Sequence, residues 1–152
     1  IVVEDNADAN DGKIRIKGEN VQYVYLDGSE SASGVYETAK SLVIRLNGGS
    51  DTITIKALDL NYLAHISIED NVDLPDTDEV IIEGNISLQG HNLSIAAEHI
   101  TVKSGVTIDT RSLSAVSNTL SRESGDINFE GKVITLKNNV QLLAKGLALI
   151  HI

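Results

Sequence analysis

The sequence predicts an all-β fold, namely a parallel β-helix or β-solenoid with about three short strands in each coil of roughly 20–22 residues. Hydrophobic residues make up 41% of the chain, and they are almost all Ile, Leu, Val and Ala, with four Tyr, one Phe and no Trp or Met. Aliphatic and β-branched side chains of this kind favour strands. Turns must rely on Gly, Asn and Asp, because the chain has 12 glycines and a single proline, Pro75.

Short runs in which apolar and polar residues alternate extend along most of the chain. A period of two is typical of a strand with one buried face. Turn-forming Asp-Gly, Asn-Gly-Gly and Lys-Ser-Gly segments separate these runs. The alternating pairs are Ile14 and Ile16, Val24 and Leu26, Ile53 and Ile55, Ile66 and Ile68, and Ile86 and Leu88.

Residues 93–110 and 127–144 align without a gap, which indicates an internal repeat. Every Leu, Ile and Val of the first segment meets an apolar residue in the second, and Ala97 meets a glycine. Preserved spacing of this kind predicts stacked coils. The matched pairs are Leu93 with Ile127, Ile95 with Phe129, Ala97 with Gly131, Ile100 with Ile134, Val102 with Leu136, Val106 with Val140, and Ile108 with Leu142.

The spacing of the alternating runs divides the chain at residue 79. Residues 80–152 are predicted to form the regular β-helix, and residues 112–125, which lack alternation, are predicted to be a loop inserted at one corner. Residues 1–79 alternate with less even spacing and are predicted to be an irregular β region of distorted or capping coils. A cap would cover edge strands that otherwise recruit other chains.

The best repeated segments resemble a known family. Residues 93–110 read Leu-Ser-Ile-Ala-Ala-Glu-His-Ile-Thr-Val-Lys-Ser-Gly-Val-Thr-Ile-Asp-Thr, and residues 125–144 follow the same rhythm. Both resemble the β-helical repeats of filamentous-haemagglutinin-like adhesins of Gram-negative bacteria, and the resemblance covers residues 86–144. It implies a right-handed parallel β-helix that holds adhesive regions away from the cell, in an extracellular or cell-surface location.

Charge and composition exclude several classes of partner. The net charge of -10 repels nucleic-acid phosphates and anionic lipid surfaces. No apolar run approaches the ~20 residues of a membrane span, so membrane insertion is not expected. The absence of cysteine excludes disulfides and thiolate metal sites. The chain starts at Ile1, and its last six residues alternate like the middle of a strand, so it is expected to be part of a longer polypeptide.

An acidic segment around Pro75 is the candidate metal site. Carboxylate oxygens are the ligands that calcium prefers, so calcium is the one cofactor that the sequence suggests. The alternative is a solvated acidic loop between coils, since the spacing fits no defined ion loop. The candidate calcium ligands are Asp70, Asp73, Asp76 and Asp78.

Basic residues and histidines offer weaker candidates. Lys103 aligns with Lys137, so the two are predicted to form a short basic ladder, although lysine on an exposed strand also prevents edge aggregation. The histidines are too far apart in sequence to predict a zinc pair, and His91 and His99 are the two expected to approach each other. The candidate binding surface comprises Lys103, Arg111, Arg122 and Lys137.

The expected function is structural or adhesive. The chain would be a rigid spacer or adhesion module of a large secreted or cell-surface bacterial protein, and its partner would be a host or cell-surface protein or a carbohydrate. No catalytic motif predicts an enzyme. The alternative is a carbohydrate-binding or polysaccharide-cleaving β-helix, a lyase or glycoside hydrolase, in which carboxylates converge in a groove.

Overall fold

The structure is a computed structural model. It describes residues 2–5, 13–17, 24–26, 29–30, 34–37, 41–46, 49–58, 64–70, 77–112, 124–144 and 150–151. Within these residues the chain forms 17 strands and no helix. The fold is therefore all-β, as the period-two alternation predicts.

The strands are short, with two to six residues each. They are β1 Val2–Asp5, β2 Lys13–Lys17, β3 Val24–Leu26, β4 Ser29–Glu30, β5 Gly34–Glu37, β6 Ser41–Leu46, β7 Thr52–Ile55, β8 His65–Asp70, β9 Glu79–Ile82, β10 Ile86–Ser87, β11 Leu93–Ala96, β12 His99–Val102, β13 Thr107–Asp109, β14 Ile127–Glu130, β15 Val133–Leu136, β16 Gln141–Leu143 and β17 Ile150–His151.

The strands form three sheets. Sheet A has the order β15-β12-β9-β7-β1-β2-β5, sheet B has the order β17-β14-β11-β8-β6-β3-β4, and sheet C has the order β10-β13-β16. From β8 onward the chain visits sheets B, A and C in turn, and each strand pairs in parallel with the strand three places later. We call three successive strands a level: level 1 is β8 to β10, level 2 is β11 to β13, and level 3 is β14 to β16.

Levels 2 and 3 pair in the register that the internal repeat predicts, in all three sheets. The repeat between them is 34 residues. Levels 1 and 2 lie closer in sequence, with 20 residues between Asp78 and Glu98 and 22 between Asn85 and Thr107. The predicted register is confirmed by the pairs Leu93 and Ile127, Ile95 and Phe129, Ile100 and Ile134, Val102 and Leu136, and Ile108 and Leu142.

Parallel pairing extends further towards the N-terminus than the repeat suggests. β6 pairs with β8, β7 with β9, and β1 with β7, all in parallel, whereas β2, β3, β4 and β5 pair only antiparallel among the described strands. The repeats here are longer than 20–22 residues: 24 between Arg45 and Glu69, and 27 between Asp51 and Asp78. These intervals contain residues 59–63, which lie outside the described residues. The division at residue 79 stays a prediction.

The core is built from aliphatic columns that run through the levels. In sheet A, Ile53, Val80 and Ile100 lie at equivalent positions and are fully buried. Each such side chain contributes about 1.5–3 kcal/mol when it is removed from water. At β15, which is the last described strand of sheet A, the inward Leu136 is 41% exposed. Burial of an inward residue therefore depends on the neighbouring level.

Candidate metal site and the polar ladders

Four residues that directly precede strands of sheet A form one column at the corner between sheets B and A. They are Asp51 before β7, Asp78 before β9, Glu98 before β12 and Lys132 before β15. The parallel register places each of them beside its equivalent in the next level, because His99 pairs with both Glu79 and Val133 on either side. Residues far apart in sequence therefore become neighbours.

Hydrogen bonds join this column. The Asp51 backbone N–H donates to Asp78 Oδ1 over 2.7 Å, and the Asp78 backbone N–H donates to Glu98 Oε2 over 3.0 Å. Lys132 Nζ lies 3.4 Å from Glu98 Oε1. The side chains of Asp78 and Glu98 thus each satisfy a backbone donor of the preceding level, which matters because an unpaired buried N–H is costly.

A third carboxyl group reaches the same corner from sheet B. Asp70 is the last residue of β8. Its carboxylate lies beside those of Asp78 and Glu98, and one oxygen of each group lies within 4.8 Å of one oxygen of each of the other two. Asp78 and Glu98 are buried and Asp70 is half-buried. Three carboxylates this close repel one another unless they share a proton or a cation. Their oxygens are suitable ligands for calcium.

The pKa of Glu98 is lowered from its ordinary value. The bond from the Asp78 backbone N–H is the largest cause, and burial opposes it. The Glu98 backbone, the Asp70 side chain and Lys132 lower the pKa of Glu98 further.

The structure brings together part of the predicted calcium site. Asp70 and Asp78 lie close to each other, whereas Asp73 and Asp76 lie outside the described residues. Glu98 was missed, because it lies 20 residues from Asp78 and outside the acidic segment. Its position before β12, equivalent to that of Asp78 before β9, is the signal that a pairwise alignment of these two strands would have provided.

Substitution of Glu98 by Gln tests the charge state of this cluster. The folded-state pKa of Glu98 lies below its ordinary value of 4.5, so its contribution to stability is present above that pH and is lost as the pH falls below it. We expect Glu98→Gln to be less stable than the parent at pH 7 and to lose part of the acid-induced fall in stability. Urea unfolding at pH 7 and pH 3.5 measures both effects, with the exposed Glu83→Gln as the control. An equal acid-induced fall in all three proteins would contradict the assignment.

Thermal unfolding with calcium and with a chelator distinguishes a bound cation from a shared proton. A rise in Tm with calcium that disappears in Glu98→Gln would indicate that the three carboxylates hold the ion. Equal Tm values with calcium and with chelator would indicate that a proton neutralises the cluster.

Side chains connect the levels at the other two corners as well. Asn92 lies between His65 of level 1 and Asp126 at the start of level 3: its backbone N–H donates to His65 Nδ1 over 2.9 Å, and its Oδ1 accepts from the Asp126 backbone N–H over 2.9 Å. At the corner between sheets A and C, Asn85 Oδ1 accepts from the Thr107 backbone N–H over 2.8 Å. Polar corner residues therefore link successive levels.

Within the described residues, the two ends of the predicted insertion at 112–125 are joined to each other. Thr110 Oγ1 donates to the Gly125 carbonyl over 2.6 Å, and the Gly125 N–H donates to the Thr110 carbonyl over 3.0 Å. Thr110 is fully buried. Residues 113–123 lie outside the described residues, but both ends of the segment meet at this pair. The chain thus leaves and rejoins the stack at the same corner.

The predicted basic surface is divided between two places. Lys103 and Lys137 directly follow β12 and β15, and their backbone N–H groups bond to the preceding level of sheet A, so the two residues do occupy successive levels. Arg111 lies beyond β13, and its guanidinium holds both carboxylate oxygens of Asp109 at 2.9 and 2.6 Å. This bond to Arg111 lowers the pKa of Asp109. Arg122 lies outside the described residues.

Comparison with models of known protein families, with curated proteins and with solved structures finds no match to this chain. In the described part of the chain there is no helix with the length and apolar character needed to cross a membrane.

Proposed function

We propose that this chain is a segment of a parallel β-solenoid that serves as a rigid spacer or adhesion module of a secreted or cell-surface bacterial protein. The observation that carries this proposal is the cyclic order of the strands, in which β8 to β17 visit sheets B, A and C in turn and pair in parallel. A chain with this order can be lengthened level by level without a new topology. The resemblance of residues 86–144 to adhesin repeats supports the same function.

The stabilising contacts suit a mechanical role. Buried aliphatic columns and parallel backbone hydrogen bonds join the levels within each sheet, and the hydrogen bonds of polar side chains join them at the corners. Because all of these contacts run between levels, force or heat must separate whole levels rather than one side chain at a time. Stability then follows from nearest-neighbour stacking.

The insertion between Thr110 and Gly125 is the proposed adhesive element. Its two ends are joined to each other, so its length and sequence can change while the levels on either side stay paired. A host or cell-surface protein or a carbohydrate is the proposed partner. Lys103 and Lys137 on sheet A form the proposed second contact surface.

Removal of the insertion tests both parts of this proposal. We expect a variant in which residues 113–123 are replaced by Gly-Ser to keep the Tm of the parent within about 3 °C, because the Thr110 and Gly125 pair already closes the corner. Binding of fluorescent parent and variant to a glycan array and to cultured epithelial cells gives the functional result. Adhesion that the parent shows and the variant lacks assigns the contact to the insertion. Unfolding of the variant would contradict the role of the Thr110 and Gly125 pair in closing the corner. Absence of adhesion in both proteins would rule out the adhesive function and leave the function of a rigid spacer.

The polysaccharide-cleaving alternative has one observation in its favour, the convergence of Asp70, Asp78 and Glu98. However, Asp78 and Glu98 are buried, and their oxygens accept backbone N–H groups of the preceding level. These contacts favour a structural role over attack on a polymer, which needs access to both carboxylates. Release of reducing or unsaturated ends from polygalacturonate or alginate by the parent, and its loss in Glu98→Gln, would overturn this assignment.

A further inference from the structure

We propose that His65 and His91 form a pH-sensitive joint between levels 1 and 2. His65 begins β8, and His91 lies two residues before β11, at the same corner. Their ring centroids are 5.0 Å apart and the ring planes meet at 68°. The sequence predicts an approach of His91 to His99, whereas the described ring contact of His91 is with His65.

Hydrogen bonding sets the protonation of both rings. His65 Nδ1 faces the backbone N–H of Asn92 at 2.9 Å. This partner can only donate, so His65 Nδ1 must be without a proton, and neutral His65 carries its proton on Nε2. His91 Nδ1 lies 2.8 Å from the carbonyl oxygen of Leu88, which can only accept, so His91 Nδ1 carries a proton.

A second proton on His65 damages the joint in two ways. It must bind at Nδ1, where it turns the acceptor of the Asn92 bond into a donor that faces another donor. It also places a positive charge beside the His91 ring. The pKa of His65 is lowered from its ordinary value, mainly by burial and to a smaller extent by the charge of His91. Geometry and electrostatics therefore oppose protonation together.

Charged residues on or next to the neighbouring strands of sheet B include Arg45, Glu69, Asp70 and Asp126. Asp126 directly precedes β14 and occupies the equivalent position in level 3. Glu69 and Asp70 lie on β8 itself, at its C-terminal end. β6 contributes Arg45, which pairs with Glu69 at 2.9 Å. From the next level, the charged group that shifts the pKa of His65 is His91.

The link between levels 2 and 3 at this corner uses an asparagine where the link between levels 1 and 2 uses His65. His65, Asn92 and Asp126 occupy equivalent positions in successive levels, and Asn92 Oδ1 accepts from the Asp126 backbone N–H as His65 Nδ1 accepts from the Asn92 backbone N–H. An asparagine therefore performs the same linking role without titrating. His65→Asn should keep the bond between the levels and remove its dependence on pH.

The direction of the pH effect follows from linkage. The folded-state pKa of His65 lies below its ordinary value of 6.5, so the folded state binds fewer protons than the unfolded state. The contribution of the joint to stability is complete above that pH and falls as the pH decreases through it. This loss begins below pH 6.5, whereas the loss at Glu98 begins below pH 4.5, so the two effects start at different pH values.

Thermal unfolding of the parent and two variants at pH 7.5 and pH 5.5 tests the proposal. We expect the parent and the control His99→Asn to lose about 2–4 °C more in Tm than His65→Asn over this interval. Nitrogen-15 NMR of the imidazoles should show His65 protonated on Nε2 and His91 protonated on Nδ1 at pH 7.5. The proposal is overturned if His65→Asn keeps the full pH dependence, or if His65 carries its proton on Nδ1.

Discussion

Replacement of Gly125 by alanine is expected to destabilise the fold by about 3 kcal/mol or more, although it adds one methyl group. A Cβ at this position would lie 1.9 Å from the carbonyl oxygen of His91 and 2.2 Å from its carbonyl carbon. Both atoms belong to the backbone of the neighbouring level, so neither can rotate away. The substitution must therefore separate level 2 from level 3 at the foot of the insertion.

Gly105 provides the matched control. It lies in a turn with φ of +77° and has open space around its Cβ position, so Gly105→Ala introduces backbone strain without a clash. We expect it to cost about 1 kcal/mol. Urea unfolding of both variants compares the two effects. Equal losses in the two variants would show that the levels are not in the close contact described at Gly125.

The second large effect is expected for Ile100→Ala, with a loss of about 2–5 kcal/mol in the free energy of unfolding. Ile100 lies at the centre of level 2, between Val80 and Ile134 in sheet A, and is fully buried. The levels on both sides hold the surrounding backbone, so the cavity cannot collapse. The loss should appear in chemical unfolding as a lower midpoint with an unchanged slope.

The neighbouring Thr101 tests the direction in which this strand faces. It is half-buried on the other face of β12, and Thr101→Ala is expected to change stability by about 0.5 kcal/mol or less. A large loss for Thr101→Ala together with a small loss for Ile100→Ala would reverse the faces of β12 and contradict the assigned core.

The hydrophobic pattern predicted the stacked levels well where the repeat is regular. The alignment of Leu93 with Ile127 and of Ile108 with Leu142 anticipated the strand register, because inward positions demand aliphatic residues in every level. For β6, β7 and β8 the sequence left two alternatives open, distorted coils or a cap, and it did not predict the register of these strands. Their repeats of 24 and 27 residues are uneven, so no gapless alignment reveals them.

The polar contacts were harder to predict for a physical reason. His65 meets His91, and Asp78 meets Glu98, only because the lengths of the connections bring these corners into register. A change of one residue in a connection would change the partners while leaving the hydrophobic alternation intact. Clusters within one sequence segment, such as Asp70 and Asp78, were recognised, whereas the carboxylate that completes this cluster came from another level.

Distances between spin labels test the stacked levels most directly, since the chain has no cysteine of its own. Nitroxides on cysteines at Thr101 and Thr135, and in a second variant at Ser94 and Asn128, would occupy directly paired positions of adjacent strands, about 4.8 Å apart along each sheet. Strong dipolar broadening is predicted for both pairs, and much weaker broadening for Ser94 with Thr135, which lie in different sheets. Narrow spectra for both paired variants would contradict the parallel stacking of levels 2 and 3.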